Sequence, residues 1–503
     1  MNTQGFVPDT INLIADNLRD RYANGFPILK ELVQNADDAK AQTFVFGQHP
    51  GFGGRASHPL LQGPGIWFFN DGAFDHRRDK RALRSFGINS KAGESGTIGK
   101  FGLGMKSVFH LCEALFYVAW DGTCTHLEIL NPWKTVDDNI HPDWDGHPDT
   151  DGEYLTDLAR GLAGDRPQWF LLWVPLRRRD HLLREAAPAA GAIIERFPGD
   201  DPTADLAFLR DRGLAQDLAA VLPLLRHLET IEHRGEVNPF VLRLQAGPRL
   251  IAERASAGES DGMVADAAGT PVLRFAGVRQ TETGSWAQSL KAAEQWPKSR
   301  YRDENGHDRI GEDKTRAEGA VLFCSGSDTA RPANLHWAVF LPLEEGAEPL
   351  AFDGVKPRHS LVLHGQFFVD AGRRKVHDQQ GLHQPTSDPH LDGMDEATLR
   401  QTWNRHLAQR VLAPMVISAL DYYVRQQGLS HDECWDLTQA LAVSRWFRQF
   451  RGHVCGEDAW VRGLEQDGPS WRRVRGADRD RLRPVPPPDQ GGSRTAMGGL
   501  SPT

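Results

Sequence analysis

The stretch ELVQNADDA, Glu31 to Ala39, constrains the chain more than any other, because its spacing sets polar and apolar side chains in register on one helix. Glu31, Asn35 and Asp38 stand four and three residues apart, so an α-helix brings them together over two turns. Leu32 and Ala36 share that side, which argues for a built site rather than a solvated stripe. About seventy residues on, TIGKFGLGMKSV at 97–108 runs from a glycine-rich turn into an apolar helical pattern. A backbone cradle for phosphate needs that combination. Together the two segments point to a nucleotide.

Their surroundings read as alternating helix and strand. Ile11, Ile14 and Leu18, then Ile28, Leu32 and Ala36, are spaced for two buried helix faces, broken near Gly25 and Pro27. TFVFG at 43–47 and IWFF at 66–69 are short apolar runs between turn residues and predict strands, as do LFYVAW at 115–120, HLEIL at 126–130 and FLLWVPL at 170–176. An apolar helix is expected around Leu222, Leu225 and Leu228. The order implies a two-layer α+β domain over residues 1–235. Within it, the charged, glycine-punctuated stretch 75–98 reads as a mobile lid, and the aspartate-rich stretch 137–153 (Asp143, Asp145, Asp149, Asp151) as a solvated loop without calcium-loop spacing.

A second α+β domain is expected over 236–385, where FVLRL, AVLFC, WAVFLPL and LVLHGQFFV surround a polar, loop-rich insertion at 254–317. Residues 386–475 return to a helical period, with Leu407, Val411, Met415, Ala419 and Tyr422 on one face. The proline- and glycine-rich stretch 476–503 predicts a disordered tail. Such a division suits 503 residues, too many for one ordinary core.

Composition excludes some functions. No run of eighteen apolar residues is present and the first residues lack a secretory pattern, so no membrane span and a cytoplasmic location are expected. The five cysteines form no CxxC pair, which disfavours a disulfide framework or a zinc ribbon and leaves them reduced and partly buried. A net charge of −9 makes nucleic acid an unlikely partner, and the Arg177, Arg178, Arg179 triplet reads as a solvated strand end.

Magnesium bound with ATP accepts a neutral oxygen ligand, which the Asn35 carboxamide supplies. Glu31, one turn earlier, is placed to orient or deprotonate a water at the terminal phosphate. In FFNDGAF at 68–74, Asp71 is a candidate acceptor for the exocyclic amine of adenine, with Gly72 permitting close approach. Gly99, Gly102 and Gly104 free the backbone to aim N–H groups at phosphate, with Lys100 or Lys106 adding positive charge. GKFGLGMKS misses the P-loop pattern by one residue, and no phosphoacceptor helix of a histidine kinase is evident.

In this order the motifs resemble the GHKL ATPase superfamily, and YANGFPILKELVQNADDAKAQTFVF, FFNDGAF, SFGINSKAG and IGKFGLGMKSVFHLCE resemble its sacsin-type, chaperone-like branch. The resemblance implies a two-layer α/β sandwich of the GHKL (Bergerat) type followed by a transducer-like domain. It implies Glu31 as the catalytic glutamate, Asn35 as the magnesium ligand, Asp38 as the acid after it and Asp71 as the adenine aspartate. Gly99, Lys100, Gly102, Leu103, Gly104 and Lys106 correspond to the phosphate loop, and Ser90 and Lys91 to the lid. HGQFFVDAGRRKV at 364–376 offers Arg373 or Arg374 as the basic residue that reaches the terminal phosphate from the second domain.

The implied function is Mg2+-dependent ATP hydrolysis that drives lid closure, acting on a protein client, within a larger assembly or through an ATP-dependent homodimer. A nucleotide-gated interaction module without turnover is the alternative, and a DNA-acting relative a weaker one. One departure stands out. The family's closing strand begins with a Gly-Thr pair whose threonine supports the adenine contact, whereas Trp169 and Phe170 occupy those positions here.

Overall fold

The computed structural model describes residues 10–20, 24–76, 79, 83, 104–134, 141–182, 192–251, 257–282, 285–302, 308–312, 317–326, 333–339, 341–352, 359–370, 374–385, 393–455, 459–465 and 468–474. They divide into two compact units. The first comprises Met1–Leu244 with Ala265–Thr270 and Lys298–Gly311, and the second the remainder.

In the first unit the two early helices are α1 (Thr10–Asp20) and α2 (Phe26–Asp38). Its strands are β1 (Thr43–His49), β2 (Gly65–Asn70), β3 (Leu115–Trp120), β4 (Thr125–Leu130), β5 (Trp169–Pro175), β6 (Thr230–Arg234) and β7 (Phe240–Ala246). They lie in the order β7-β6-β1-β2-β5-β3-β4. Among the described pairings of these strands, only β1–β6 is parallel. β1, β2, β3 and β5 are buried almost continuously, which is why their sequences read as unbroken apolar runs. At the end of the order, β4 is partly exposed along its length and carries polar side chains.

Two expectations for this unit are corrected. The aspartate-rich stretch is not simply a solvated loop, because Asp149–Ala163 forms helix α3, packed on β5 and β3. Asp149 and Asp151 lie in its first turn, where the helix dipole favours negative charge. Asp151 is fully buried and accepts the Ser57 and His58 backbone N–H groups at 2.9 and 2.6 Å. The helix expected around Leu222 to Leu228 instead spans Leu214–Val221 (α4) and tightens into a 3-10 turn at Leu222–Leu224, where Pro223 lacks the N–H that would continue it. Leu225 and Leu228 are buried beyond the helix.

The arginine triplet also departs from its reading. Arg177 is fully buried rather than solvated, and its Nε donates to Glu113. Its remaining N–H groups reach the carbonyls of Phe109, His110, Cys112 and Arg196 at 2.6–3.1 Å. Glu113 in turn accepts from the Trp133 indole and the Ile193 N–H. Of the three, Arg178 and Arg179 keep exposed ion pairs.

In the second unit β8 (Ala257–Ala265), β9 (Pro271–Glu282), β12 (Ala317–Gly326), β13 (Asn334–Val339), β14 (Leu341–Pro342) and β16 (His359–Gly365) follow the order β14-β13-β16-β12-β9-β8. β15 (Glu348–Pro349) pairs with β13. The insertion at 254–317 is therefore not loop-rich. It contains β8, β9 and helix α5 (Ser285–Ala292), and the hairpin β10 (Lys298–Arg302) and β11 (Asp308–Glu312), of which Lys298–Gly311 belongs to the first unit. In β9 the short apolar run 275–278, which pairs with β12, is flanked by Arg274 and Arg279, so the apolar signal along the chain is brief without preventing a strand.

Helices α6 (Glu396–His406), α7 (Ala413–Gln427), α8 (His431–Val443) and α9 (Arg445–Cys455) follow. Leu407, Val411, Met415, Ala419 and Tyr422 are all buried, as their period predicts. They belong to one core with Val321, Phe323 and Leu363 of the sheet, so this helical segment is a layer of the second unit. The hairpin β17 (Ala459–Glu465) and β18 (Gly468–Val474) follows, and the expected disordered tail lies outside the described residues.

Because the Arg177 guanidinium stays charged, Glu113→Gln leaves a buried cation without its counter-ion, a change that costs about 3–5 kcal/mol. Urea denaturation of the variant is expected to show a midpoint lowered accordingly; an unchanged midpoint would contradict the role given to this pair.

Candidate functional site

Helix α2 carries the first group of candidates. It starts at Gly25, whose φ of 101° is a conformation that L side chains rarely adopt, with Pro27 in the first turn where no N–H is missed. Ile28, Leu29, Leu32, Val33 and Ala36 are buried, while Glu31 and Asn35 are half-buried on an adjoining face. Helix α2 packs against the helical turn Gly104–His110, which leaves the glycine-rich segment. The structure thus sets the helix that carries Glu31 and Asn35 against the element that carries Gly104 and Lys106. Ser90, Lys91, Gly99, Lys100, Gly102 and Leu103 lie outside the described residues, as does most of the expected lid.

The C-terminus of α2 is tied to a distant segment. Asp38 pairs with Arg226 at 2.9 Å, both side chains being nearly inaccessible. Beside it, Asp37 is fully buried and accepts the backbone N–H groups of Arg226, His227 and Leu228 at 2.7–3.0 Å. Sequence reasoning passed over Asp37, since an acid next to an acid on a helix carries no periodic signal. These bonds fix the chain just before β6, which then pairs in parallel with β1.

Asp71 follows β2 and is a second junction. Its Oδ1 accepts the Gln42 and Thr43 N–H groups at 2.8 Å each, and its Oδ2 accepts Arg166 Nε at 3.1 Å. Arg166 also caps α3 through the Leu162 and Ala163 carbonyls. No sequence signal singled out Arg166, which lies in a turn. An ionised carboxylate has about four acceptor positions, so the three bonds leave room on Oδ2 for one further donor. Gly72 is held against Ala39: a Cβ there would come within 2.8 Å of the Ala39 carbonyl and methyl. The close approach that Gly72 permits in the structure is to the end of α2. Phe170 lies opposite Asn70 in the β2–β5 register, and its ring packs on Phe74 and Tyr117.

Lys106 is 5% exposed, and burial lowers its ammonium to about 8. It lines a cavity of about 710 Å³ together with Ile14, Phe109, Glu128, Lys134 and Asp145. Glu31, Asn35 and Asp71 do not line this cavity. In the second unit, Arg374 pairs with Glu345 at 3.1 Å and Glu344 at 3.6 Å, and Arg373 lies outside the described residues.

Residues 9–142 match the Sacsin domain. Human sacsin is 30% identical over 113 residues, which cover 20% of this chain and 2% of that protein. The sacsin-like stretch contains Glu31, Asn35, Asp38, Asp71 and the glycine-rich segment, and ends before Arg166, Arg177 and Arg226. No helix among the described residues is long and apolar enough to cross a membrane.

Asp37→Ala removes the acceptor of three backbone N–H groups, each costing about 1–3 kcal/mol when left unsatisfied. A loss of at least about 3 kcal/mol in denaturant unfolding is expected. For Lys106, the unfolded chain keeps the proton up to about pH 10.5, whereas the native chain releases it near 8. Stability from this group therefore rises as pH increases through that window. Relative to Lys106→Met, the wild type should gain about 3 kcal/mol between the two values, measured by urea midpoints at each pH.

Proposed function

We propose that the first unit is a GHKL-type (Bergerat) module that binds Mg2+-ATP and hydrolyses it, the cycle of lid ordering and release acting on a protein client, a partner subunit or a second copy of the chain. The observation that carries this reading is the packing of α2, with Glu31 and Asn35 half-buried one turn apart, against the turn that leaves the glycine-rich segment. A carboxylate and a carboxamide in that relation suit water activation and magnesium ligation respectively. The sacsin-like match over 9–142 covers the same segments and favours a chaperone-like role.

In this reading Asn35 would hold the metal, Glu31 would orient the attacking water, and N–H groups from Gly99 to Gly104 would cradle the phosphates. Magnesium, when bound, offsets charge on the phosphate oxygens. The remaining acceptor position of Asp71 would take the adenine amine, with Arg166 supporting the carboxylate where the family uses threonine. Ser90 and Lys91 would belong to the lid, and Arg373 or Arg374 would supply the basic residue for the terminal phosphate.

A nucleotide-gated module without turnover is the second reading, favoured by Trp169 and Phe170 in place of the Gly-Thr pair that the resemblance leads one to expect. Phosphate release by the pure protein separates the two. Glu31→Ala is expected to retain ATP binding and to lose about 10²–10⁴-fold in turnover, the usual contribution of a positioned base. Asp71→Asn is expected to lose binding. Unchanged turnover in both variants would defeat the assignment, and ATP binding with no release in the wild type would favour the gated module.

A further inference from the structure

Away from these residues, the turn between β3 and β4 gathers ligand-type side chains of three kinds. Asp121 follows β3, Cys124 precedes β4, and His126 follows on the same face two residues later. The Asp121 Oδ2 and His126 Nε2 atoms are 2.8 Å apart, His126 Nε2 and Cys124 Sγ 3.3 Å, and Cys124 Sγ and Asp121 Oδ2 3.6 Å. The three atoms face one another at the surface, with Cys124 exposed.

Tetrahedral zinc with bonds of 2.0–2.3 Å places neighbouring ligand atoms about 3.3–3.6 Å apart. Both edges of this triangle that involve sulfur already have that length, and only the Asp121–His126 edge must open, by about half an ångström. We propose that Asp121, Cys124 and His126 form a site for a borderline divalent cation such as Zn2+, with a water in the fourth position.

The surrounding bonds orient the ligands in the way metal sites require. Asp121 Oδ1 accepts the Thr123 and Cys124 N–H groups at 2.8 and 2.9 Å, which turns Oδ2 toward the triangle. The His126 ring is stacked on His76 with centroids 3.9 Å apart and planes 9° from parallel, and His76 Nε2 lies 3.8 Å from Glu128 Oε1. A sulfur, a nitrogen and an oxygen ligand together favour Zn2+, Co2+ or Ni2+ over Mg2+ and Ca2+, which prefer all-oxygen shells. A cysteine ligates as its thiolate, so the Cys124 thiol proton leaves to solvent as the cation binds. The site is independent of nucleotide chemistry and stands or falls apart from it.

Cobalt titration of the chelator-treated full chain tests the proposal, because a thiolate-to-cobalt charge-transfer band reports Cys124 ligation directly. One equivalent of Co2+ is expected to develop the band, and one equivalent of Zn2+ to bleach it. Cys124→Ser should lose the band, and His126→Ala should weaken Co2+ binding at least tenfold, each with unchanged circular dichroism. Asp121→Asn provides the same test at the third ligand. A wild type without the band, a band retained in Cys124→Ser, or equal affinity in all variants would overturn the site.

Discussion

The buried pair of Arg177 and Glu113 is the interaction on which the first unit depends. One guanidinium at the end of β5 holds the carbonyls of Phe109, His110 and Cys112, while Glu113 holds Trp133 and Ile193. Burial pushes the Glu113 carboxyl upward, and the Arg177 charge opposes it. A buried ion pair adds little net stability compared with a well-packed apolar pair, but its partners tolerate no misplacement. Its effect here is positional: it fixes where the chain must stand as it leaves the glycine-rich segment and enters β3.

A second set of buried charges does the same for α2. Asp37 and Asp38 bind the chain at 226–228, so the helix that carries Glu31 and Asn35 is held at its C-terminus by a segment almost two hundred residues later. Asp71 joins the loop before β1 to Arg166 at the end of α3. Asp38 and Asp71, which resemble ligands in a linear reading, thus serve partly, or wholly, as acceptors for the protein's own N–H groups, as does Asp37. This is a property of acids near helix and strand ends, where unpaired backbone donors concentrate. For Asp71 the two roles remain compatible, because a carboxylate has more acceptor positions than the fold uses.

Much of the architecture was legible in local pattern. The two early helices, the second starting after Gly25, the apolar strands of the first unit, and the buried face from Leu407 to Tyr422 all follow from periods that burial alone enforces. The misreadings share a cause. Asp149 and Asp151 looked solvated because composition cannot distinguish a loop from the first turn of a helix whose N–H groups welcome acid. Arg177 looked like a strand end because its counter-ion is sixty-four residues away. The 254–317 insertion looked loop-rich because polar residues bound the short apolar runs of its strands, as Arg274 and Arg279 bound 275–278 in β9. In each case the deciding partner was remote in sequence.

From the sequence alone came the helix that sets Glu31, Asn35 and Asp38 in register and the glycine-rich run beyond it, since helical spacing and glycine's freedom are local properties. Tertiary structure alone decided which acids are consumed by the fold, that Arg166 reaches Asp71, and that Asp121, Cys124 and His126 converge at one turn. The reason is physical. A side chain's spacing is written in its neighbours along the chain, but its hydrogen-bond partners and the water it loses depend on segments that only folding brings near.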